Sequence, residues 1–482
     1  MSSAPTSPLP ASPVQSAIPA LFARQQARAE ALRREAVSSR ANRLRRLDAW
    51  ITENRKAIQE ALYADFRKPA AETDITEIWS SQTELRHTLR HLSQWAAPRK
   101  VGTPMALVGT RGWVQPEPKG VCLIIAPWNY PFYLAIDPLI SALAAGNAVI
   151  IKPSEMTPIV AALLSRLCRE LFDEAEVTVV EGDKDVATEL LKLPFDHIFF
   201  TGSPQVGKVV MRAAAEHLTS VTLELGGKSP AVVDETADLR DAAEKIIWGK
   251  GVNAGQTCVA PDYVLVHENA RDQLLEEMRG VISRFYSPEG QPVADSNSYA
   301  RIVNDNHYER LAGLLADARA QGTAVALGGA TDAAARFIEP TVLLDPPTGS
   351  RVMQEEIFGP LLPVRTFRHL MDAVDEVNSR PKPLALYVFS QDEENQRYLL
   401  QNIPAGGACV NETILHLAHP DLPFGGFGNS GIGRCHGQAG FMAFSNEKSV
   451  LRQRTGLTAL KPLYPPYTPK VRKMINMLVK WL

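Results

Sequence analysis

Between Val121 and Phe200 the sequence alternates short, β-branched apolar runs with helix-like stretches, and this limits the fold more than any other feature of the chain. The runs lie at 121–125, 148–151, 177–180 and 197–200. Each is nearly continuous in apolar residues, as expected of strands buried on both faces. Joined by crossover helices, such strands build a parallel sheet covered on both sides. A second α/β series follows Glu224, with a strand at 231–233, a helix over 238–250 and strands near Val264, Val342 and 386–389. Gly406-Gly407 and the turn-rich run 423–433 mark the exit from it.

Two long helices are expected before the first of these strands. Leu44, Leu47, Ile51, Ile58 and Leu62 form one stripe at helical spacing, and Ile75, Ile78, Leu85, Leu89 and Leu92 form another, stopped by Pro98. Arginines between Arg24 and Arg46 decorate the first stripe without interleaved aromatic residues, the pattern of a solvated face rather than a nucleic-acid patch. Residues 1–20, rich in Ser, Pro and Ala and lacking an apolar signal segment, read as a flexible tail.

Composition narrows the class. The 482 residues carry 51 Lys plus Arg against 53 Asp plus Glu, a net charge of −2 that speaks against bulk nucleic-acid binding. Five cysteines, Cys122, Cys168, Cys258, Cys409 and Cys435, are odd in number and widely spaced, unlike a disulfide framework. A reducing, cytoplasmic setting is the expectation. No run is long and apolar enough to span a bilayer.

Five segments carry chemistry. Gly255-Gln256-Thr257-Cys258-Val259 sets a thiol in a turn after a helix; a lone cysteine usually packs as a small hydrophobe. Upstream, Glu224-Leu225-Gly226-Gly227-Lys228 places a carboxylate in an apolar strand, where burial raises its pKa toward a working general base; a strand-end glutamate paired with a lysine is the duller alternative. Pro127-Trp128-Asn129-Tyr130-Pro131-Phe132 follows the first strand, and Asn129 offers an amide donor for an oxyanion, though asparagine there equally serves a turn. Phe200-Thr201-Gly202-Ser203-Pro204-Gln205-Val206-Gly207 enters a helix whose first N–H groups suit phosphate. Lys152-Pro153-Ser154-Glu155 ends another strand with a cation and a carboxylate, suited to ribose hydroxyls or to an ordinary helix cap.

Taken together, in this order and spacing, these segments resemble the aldehyde dehydrogenase superfamily from about Leu32 to Lys448. The short N-terminus and Tyr464-Pro465-Pro466-Tyr467 resemble the class 3 branch, which acts on fatty and aromatic aldehydes. The resemblance implies an α/β protein with two doubly wound, Rossmann-like domains and a small bridging β-sheet that joins two subunits. It divides the chain into a cofactor domain over 21–224 with a bridging hairpin at about 100–118, a catalytic domain over 225–410, and a return segment, bridging strand and amphipathic tail over 411–482. It implies Cys258 as nucleophile and Glu224 as base, with Asn129 and the Cys258 N–H as the oxyanion hole. Trp128 falls in the cofactor cleft; Lys152 and Glu155 face the adenosine ribose. Gly202, Ser203 and Gly207 lie along the pyrophosphate, and Glu356 and Phe358 hold the nicotinamide end of NAD or NADP. Pro204 and Cys435 depart from the family pattern, the latter standing where an aromatic residue is usual, and Cys435 is expected to be a packing change. The implied reaction oxidises an aldehyde to its acid through a thiohemiacetal and a thioester.

Transfer to coenzyme A, a cofactor-free cysteine esterase and a non-catalytic binder are the rivals; the presence of Glu224 favours water as acceptor. His416 and His419 lack a third ligand at suitable spacing, so no metal is expected, and both are read as lining a loop near the substrate entrance. At the C-terminus, Val471, Met474, Ile475, Leu478 and Leu482 form an apolar stripe opposite Arg472, Lys473 and Lys480. Packing on its own or the partner subunit is the simpler role of residues 470–482, and contact with a membrane surface the other.

Overall fold

The computed structural model describes residues 13–456 and 458–481. Two open sheets and one small antiparallel sheet organise the chain. The first sheet has six strands, in the spatial order Gly431–Ile432, Ser220–Leu225, His197–Gly202, Val121–Ile125, Ala148–Lys152 and Val177–Val179. All neighbours are parallel except Gly431–Ile432, which returns from the far end of the chain to run antiparallel to Ser220–Leu225. The order reverses between Val121–Ile125 and His197–Gly202, so the crevice at a doubly wound switch point opens beyond the carboxyl ends of these two strands.

Successive residues of a strand point to opposite faces, and the two faces of this sheet have different covers. Cys122, Ile124, Val149, Ile151 and Phe199 pack among helices drawn from residues 37–95 and 133–171. Val121, Leu123, Ile150, Ile198 and Phe200 pack instead against the helix Pro13–Leu32 through Ile18, Leu21 and Phe22. The expected tail over 1–20 is therefore corrected from Pro13 onward: Ile18 is 2% exposed and covers a sheet face that would otherwise be wet. The part of that tail at residues 1–12 lies outside the described residues.

The first expected helix also divides. Val37–Glu53 and Arg55–Phe66 are separate helices broken at Asn54, while the second stripe runs through a π-helical turn, Asp74–Trp79, into Ser80–Trp95. The π-helical turn takes Ile75 off the core, leaving it 54% exposed. The break at Asn54 leaves the first stripe wholly buried, because a kink of one residue keeps both helices facing the same core. That is why periodicity alone does not reveal it.

The second sheet has seven strands, ordered Ala324–Leu327, Thr341–Leu344, Leu361–Phe367, Tyr263–His267, Pro230–Val233, Ala385–Phe389 and Gly407–Val410. Gly406-Gly407 thus leads into an edge strand rather than out of the sheet. A three-stranded antiparallel sheet, Arg99–Val101, Thr110–Pro118 and Ser445–Gln453, stands apart from both. The C-terminal helix Pro469–Trp481 has no buried residue among those described: Val471, Met474 and Ile475 of its apolar stripe are half-buried and Leu478 is 39% exposed.

If the N-terminal helix is part of the core, Phe22→Ala should be costly. Phe22 is buried edge-on against Phe195, ring centroids 4.9 Å apart. The substitution is expected to destabilise the unit built on the first sheet by about 3 kcal/mol or more, read as an earlier urea transition by tryptophan fluorescence. A change below about 0.5 kcal/mol, the usual size for a surface site, would return this segment to the status of a tail.

Candidate active site

The loop after Val121–Ile125 and the loop holding Cys258 are bonded to each other. Asn129 Nδ2 donates to the Gln256 carbonyl (3.0 Å), Asn253 Nδ2 donates to the Asn129 carbonyl (2.7 Å), and the Tyr130 and Thr257 hydroxyls meet at 2.6 Å. An amide nitrogen carries two hydrogens. One on Asn129 is committed to Gln256, and the other has no acceptor among the described residues.

Cys258 follows the helix Leu239–Gly251 and a tight turn, Val252–Gly255, in which Asn253, Ala254 and Gly255 all have positive φ, at 56°, 51° and 76°. A left-handed backbone is costly for a residue bearing a Cβ. Here it is held by the bonds of Asn253, whose backbone N–H also donates to Glu72 Oε1 at 2.8 Å, and by close contact at Gly255, where a Cβ would overlap the Gly359 carbonyl. Strain fixed in this way is typical of a loop that must present one side chain.

Glu224 is the penultimate residue of Ser220–Leu225 and is 5% exposed. The lysine expected as its duller partner is elsewhere: Lys228 is ion-paired with Asp262 and donates to the Val352 and Glu355 carbonyls. Neither Glu224 oxygen receives an N–H or hydroxyl hydrogen bond among the described residues, and its neighbours are the Cys435 thiol and, more remotely, Arg434. Burial pushes this carboxyl well above the ordinary range. The Cys258 thiol is pushed up to about 12, by burial first and then by the Glu356 and Glu224 charges, while the N–H groups of Cys258 and Val259 pull the other way.

Two cavities meet at these residues. Cys258, Glu224, Thr201 and Leu225 line both. One cavity, of about 990 Å³, is walled by Ile75, Trp79, Tyr130, Trp248, Ile414 and Phe424 and is almost wholly apolar. The other, about 2190 Å³, lies at the switch point and takes in Trp128, Asn129, Gly202, Ser203, Glu356 and Phe358. It has the size and position of a dinucleotide cleft. Ser203 caps the helix Pro204–Ala215, its Oγ accepting from Val206 N at 3.3 Å, and Pro204 occupies the first turn without cost.

The other expected cofactor residues stand further out. Lys152 and Glu155 form an ion pair of 2.8 Å at the end of the adjacent strand. Gly207 is buried one turn into its helix, where a Cβ would come within 2.7 Å of Leu225, so its contact is with the sheet. Glu356 is half-buried, accepts from the Gly227 N–H and is raised to about 8, by desolvation first; a Cβ at Gly226 would run into its carboxylate. Trp128 meets Phe358 edge-on at 5.3 Å and the His307 ring at 4.7 Å.

Sequence reasoning passed over several members. Tyr130 and Tyr133 lie in or beside the quoted Pro127–Phe132 segment, and their hydroxyls were the available signal. His307 carries none. His416, expected near the entrance, turns inward so that its Nδ1 sits 3.3 Å from Cys409 Sγ, while its neighbours Leu415 and Leu417 line the apolar cavity. Cys435 is more than a packing change, since it lies against the Glu224 carboxylate.

A thiol held near 12 is almost entirely protonated at neutral pH. In the protein without cofactor, alkylation of Cys258 by iodoacetamide, followed by mass spectrometry of its peptide, is expected to rise about tenfold per pH unit from 7 to 10 without levelling. A plateau by about pH 8.5, the range of an ordinary thiol, would contradict the burial argument.

The chain matches the model of the Aldehyde dehydrogenase family over residues 11–450. It is 46% identical to the 4,4'-diaponeurosporen-aldehyde dehydrogenase of Staphylococcus aureus, covering 90% of this chain and 94% of that one. It is 43% identical to a probable coniferyl aldehyde dehydrogenase of Pseudomonas aeruginosa (95% of each chain) and 42% identical to mouse aldehyde dehydrogenase family 3 member B3 (91% and 90%). Among solved structures, one described as the substrate-bound state of Staphylococcus aureus AldH superposes with a TM-score of 0.91 at 43% identity, over 96% of this chain and 99% of that one. The NAD+ complex of a Bacillus cereus aldehyde dehydrogenase gives 0.83 at 26% identity, over 91% and 89%. With its two sheets, its thiol and carboxylate between two cavities and these likenesses spanning nearly its whole length, the chain belongs to the aldehyde dehydrogenase family.

Proposed function

We propose that this protein oxidises aromatic or medium- to long-chain aliphatic aldehydes to carboxylic acids with NAD or NADP, through a thioester on Cys258. The carrying observation is that Cys258 and Glu224 both border an apolar cavity and a dinucleotide-sized cleft. Apolar walls of Trp79, Tyr130, Trp248 and Phe424 suit a hydrophobic or aromatic group and offer little to a charged one. The relatives named for coniferyl aldehyde and 4,4'-diaponeurosporen-aldehyde support that class.

The Cys258 thiol gives its proton to the Glu224 carboxylate, which passes it on to solvent, and the thiolate sulfur attacks the aldehyde carbon. The new oxyanion is held by the free hydrogen of Asn129 Nδ2 and by the Cys258 N–H, donors of a kind worth about 3 kcal/mol each to a transition state. Bound nicotinamide supplies the acceptor for the hydride leaving that carbon. The thioester so formed is attacked by water as Glu224 takes the water's proton; the carbon–sulfur bond breaks, the acid leaves and the thiolate returns. Glu224 suits this role because burial, offset only in part by the Cys435 thiol and Arg434, leaves its carboxylate basic. Trp128, Gly202, Ser203, Glu356 and Phe358 are the side chains and backbone proposed to hold the cofactor, with Lys152 and Glu155 at the ribose and Gly207 closing helix onto sheet.

We read the unit over 21–224, extended back to Pro13, as the cofactor domain, and 225–410 as the catalytic domain. The three-stranded sheet supports a homodimer: its edge strand Arg99–Val101 is exposed throughout, and an open edge invites a partner strand. For residues 470–482, packing on their own or the partner subunit and contact with a membrane surface are the two readings, the apolar stripe of the helix Pro469–Trp481 being only half-buried on its own chain.

Cys258→Ala should abolish aldehyde-dependent cofactor reduction while leaving cofactor binding, followed by quenching of tryptophan fluorescence, within a factor of about two. Retained oxidation would refute the assignment. Removing residues 470–482 should leave sedimentation with anionic liposomes unchanged if the helix serves the dimer, and lower the dimer fraction in analytical ultracentrifugation; lost sedimentation with an intact dimer would assign the helix to the membrane.

A further inference from the structure

Behind Glu224, on the wall of the apolar cavity, lie three buried side chains that the proposed reaction does not use. Asp137 projects from the helix Tyr133–Ala145, and Cys435 and His436 precede the helix Gly437–Ala443. One ligand atom from each, a carboxylate oxygen, a sulfur and a ring nitrogen, lies within 4.8 Å of the others, and His436 Nε2 is 3.7 Å from Asp137 Oδ2. Around a tetrahedral zinc ion with ordinary Zn–S, Zn–N and Zn–O bonds, ligand atoms stand roughly 3.3 to 3.7 Å apart. Closing the triad needs only small side-chain movements.

The ligand atoms are held ready. Asp137 is 2% exposed and its Oδ1 has no hydrogen-bond partner among the described residues, an expensive state for a buried oxygen. The Cys435 backbone exchanges two hydrogen bonds with Phe424 (2.8 and 3.1 Å), which fixes its position. His436 sits at φ 68°, its ring stacked on Phe424 at 5.2 Å, and the Leu417 carbonyl engages the ring. That contact orients the ring while Nε2 faces Asp137 and the Tyr133 hydroxyl (3.1 Å), the arrangement usual for a ligating histidine. All three side chains line the apolar cavity, so an ion has a path in.

We propose that Asp137, Cys435 and His436 form an inhibitory site for a thiophilic divalent cation such as Zn2+, with Glu224 beside it. Binding forms S–metal, N–metal and O–metal bonds and releases the thiol proton to solvent. One thiolate and one carboxylate then neutralise the two positive charges, so no net charge is left in the apolar wall. Glu224, against the Cys435 sulfur, takes the fourth position or is held by the cation's field, and in either state it no longer accepts the proton of water. This consequence for turnover rests on the proposed role of Glu224; metal binding itself does not.

The two parts are tested separately. Cys258→Ala protein, titrated with Co2+, should develop a thiolate-to-cobalt charge-transfer band that saturates at one equivalent and is displaced by Zn2+. Adding Cys435→Ser should abolish the band, and Asp137→Asn or His436→Gln should weaken Co2+ binding at least tenfold, with circular dichroism showing that each variant is folded. No band at one equivalent, or a band that survives Cys435→Ser and disappears with Cys409→Ser, overturns the site. In the unsubstituted enzyme, Zn2+ should stop steady turnover yet spare the amplitude of a first burst, one reduced cofactor per site. Loss of the burst as well would place the ion on Cys258 and overturn the inhibitory role assigned here.

Discussion

The structure turns on a carboxyl group buried against a thiol, with no N–H or hydroxyl donor among the described residues. Glu224 lies at the end of an interior strand, in a wall shared by an apolar cavity and a polar cleft. Burial disfavours its charged form, so the surrounding fold must hold the side chain in place. Ser220–Leu225 is paired on one side with His197–Gly202 and on the other with Gly431–Ile432, which places Gly431 directly opposite Glu224. The chain therefore returns from the second sheet to seal the strand that carries Glu224, the proposed base.

That return segment also joins the two halves. After Gly407–Val410 the chain passes Ile414 to Leu417 and Phe424, all on the apolar cavity or against its wall, before reaching Gly431–Ile432 and the helix Gly437–Ala443. The cavity is thus closed by residues from the N-terminal helices, from the first sheet, from the helix Leu239–Gly251 and the Cys258 loop, and from this crossing. Its shape depends on how these parts pack, and its chemistry on the linked loops of Asn129 and Cys258. The bonds among Asn129, Asn253 and Gln256 make Asn129 and Cys258, proposed as oxyanion donor and nucleophile, parts of one linked unit, as electrostatic catalysis requires.

Much of this was legible in the sequence. Near-continuous apolar runs marked the parallel strands to within a residue or two, because burial on both faces leaves no other composition available. Cys258, Glu224 and Asn129 stood out because their neighbours, glycines and a strand end, are the residues that a tight approach demands. The helix from Pro13 was hidden by Ser, Pro and Ala, which carry weak local signals, and only the uncovered sheet face explains it. The strand Leu361–Phe367, interrupted by Pro363, and the edge strand Gly407–Val410 were missed for similar reasons. Cys435 was misjudged because its partner, Glu224, is remote in sequence and is brought near only by the antiparallel return.

The most direct test traps the covalent intermediate. In Glu224→Gln protein mixed with an aromatic aldehyde and NAD, hydrolysis should fail after one turnover. Mass spectrometry should then find the acyl group on the peptide containing Cys258, in amount equal to the reduced cofactor. Reduced cofactor without an adduct, or an acyl group found on Cys435 instead, would contradict the account.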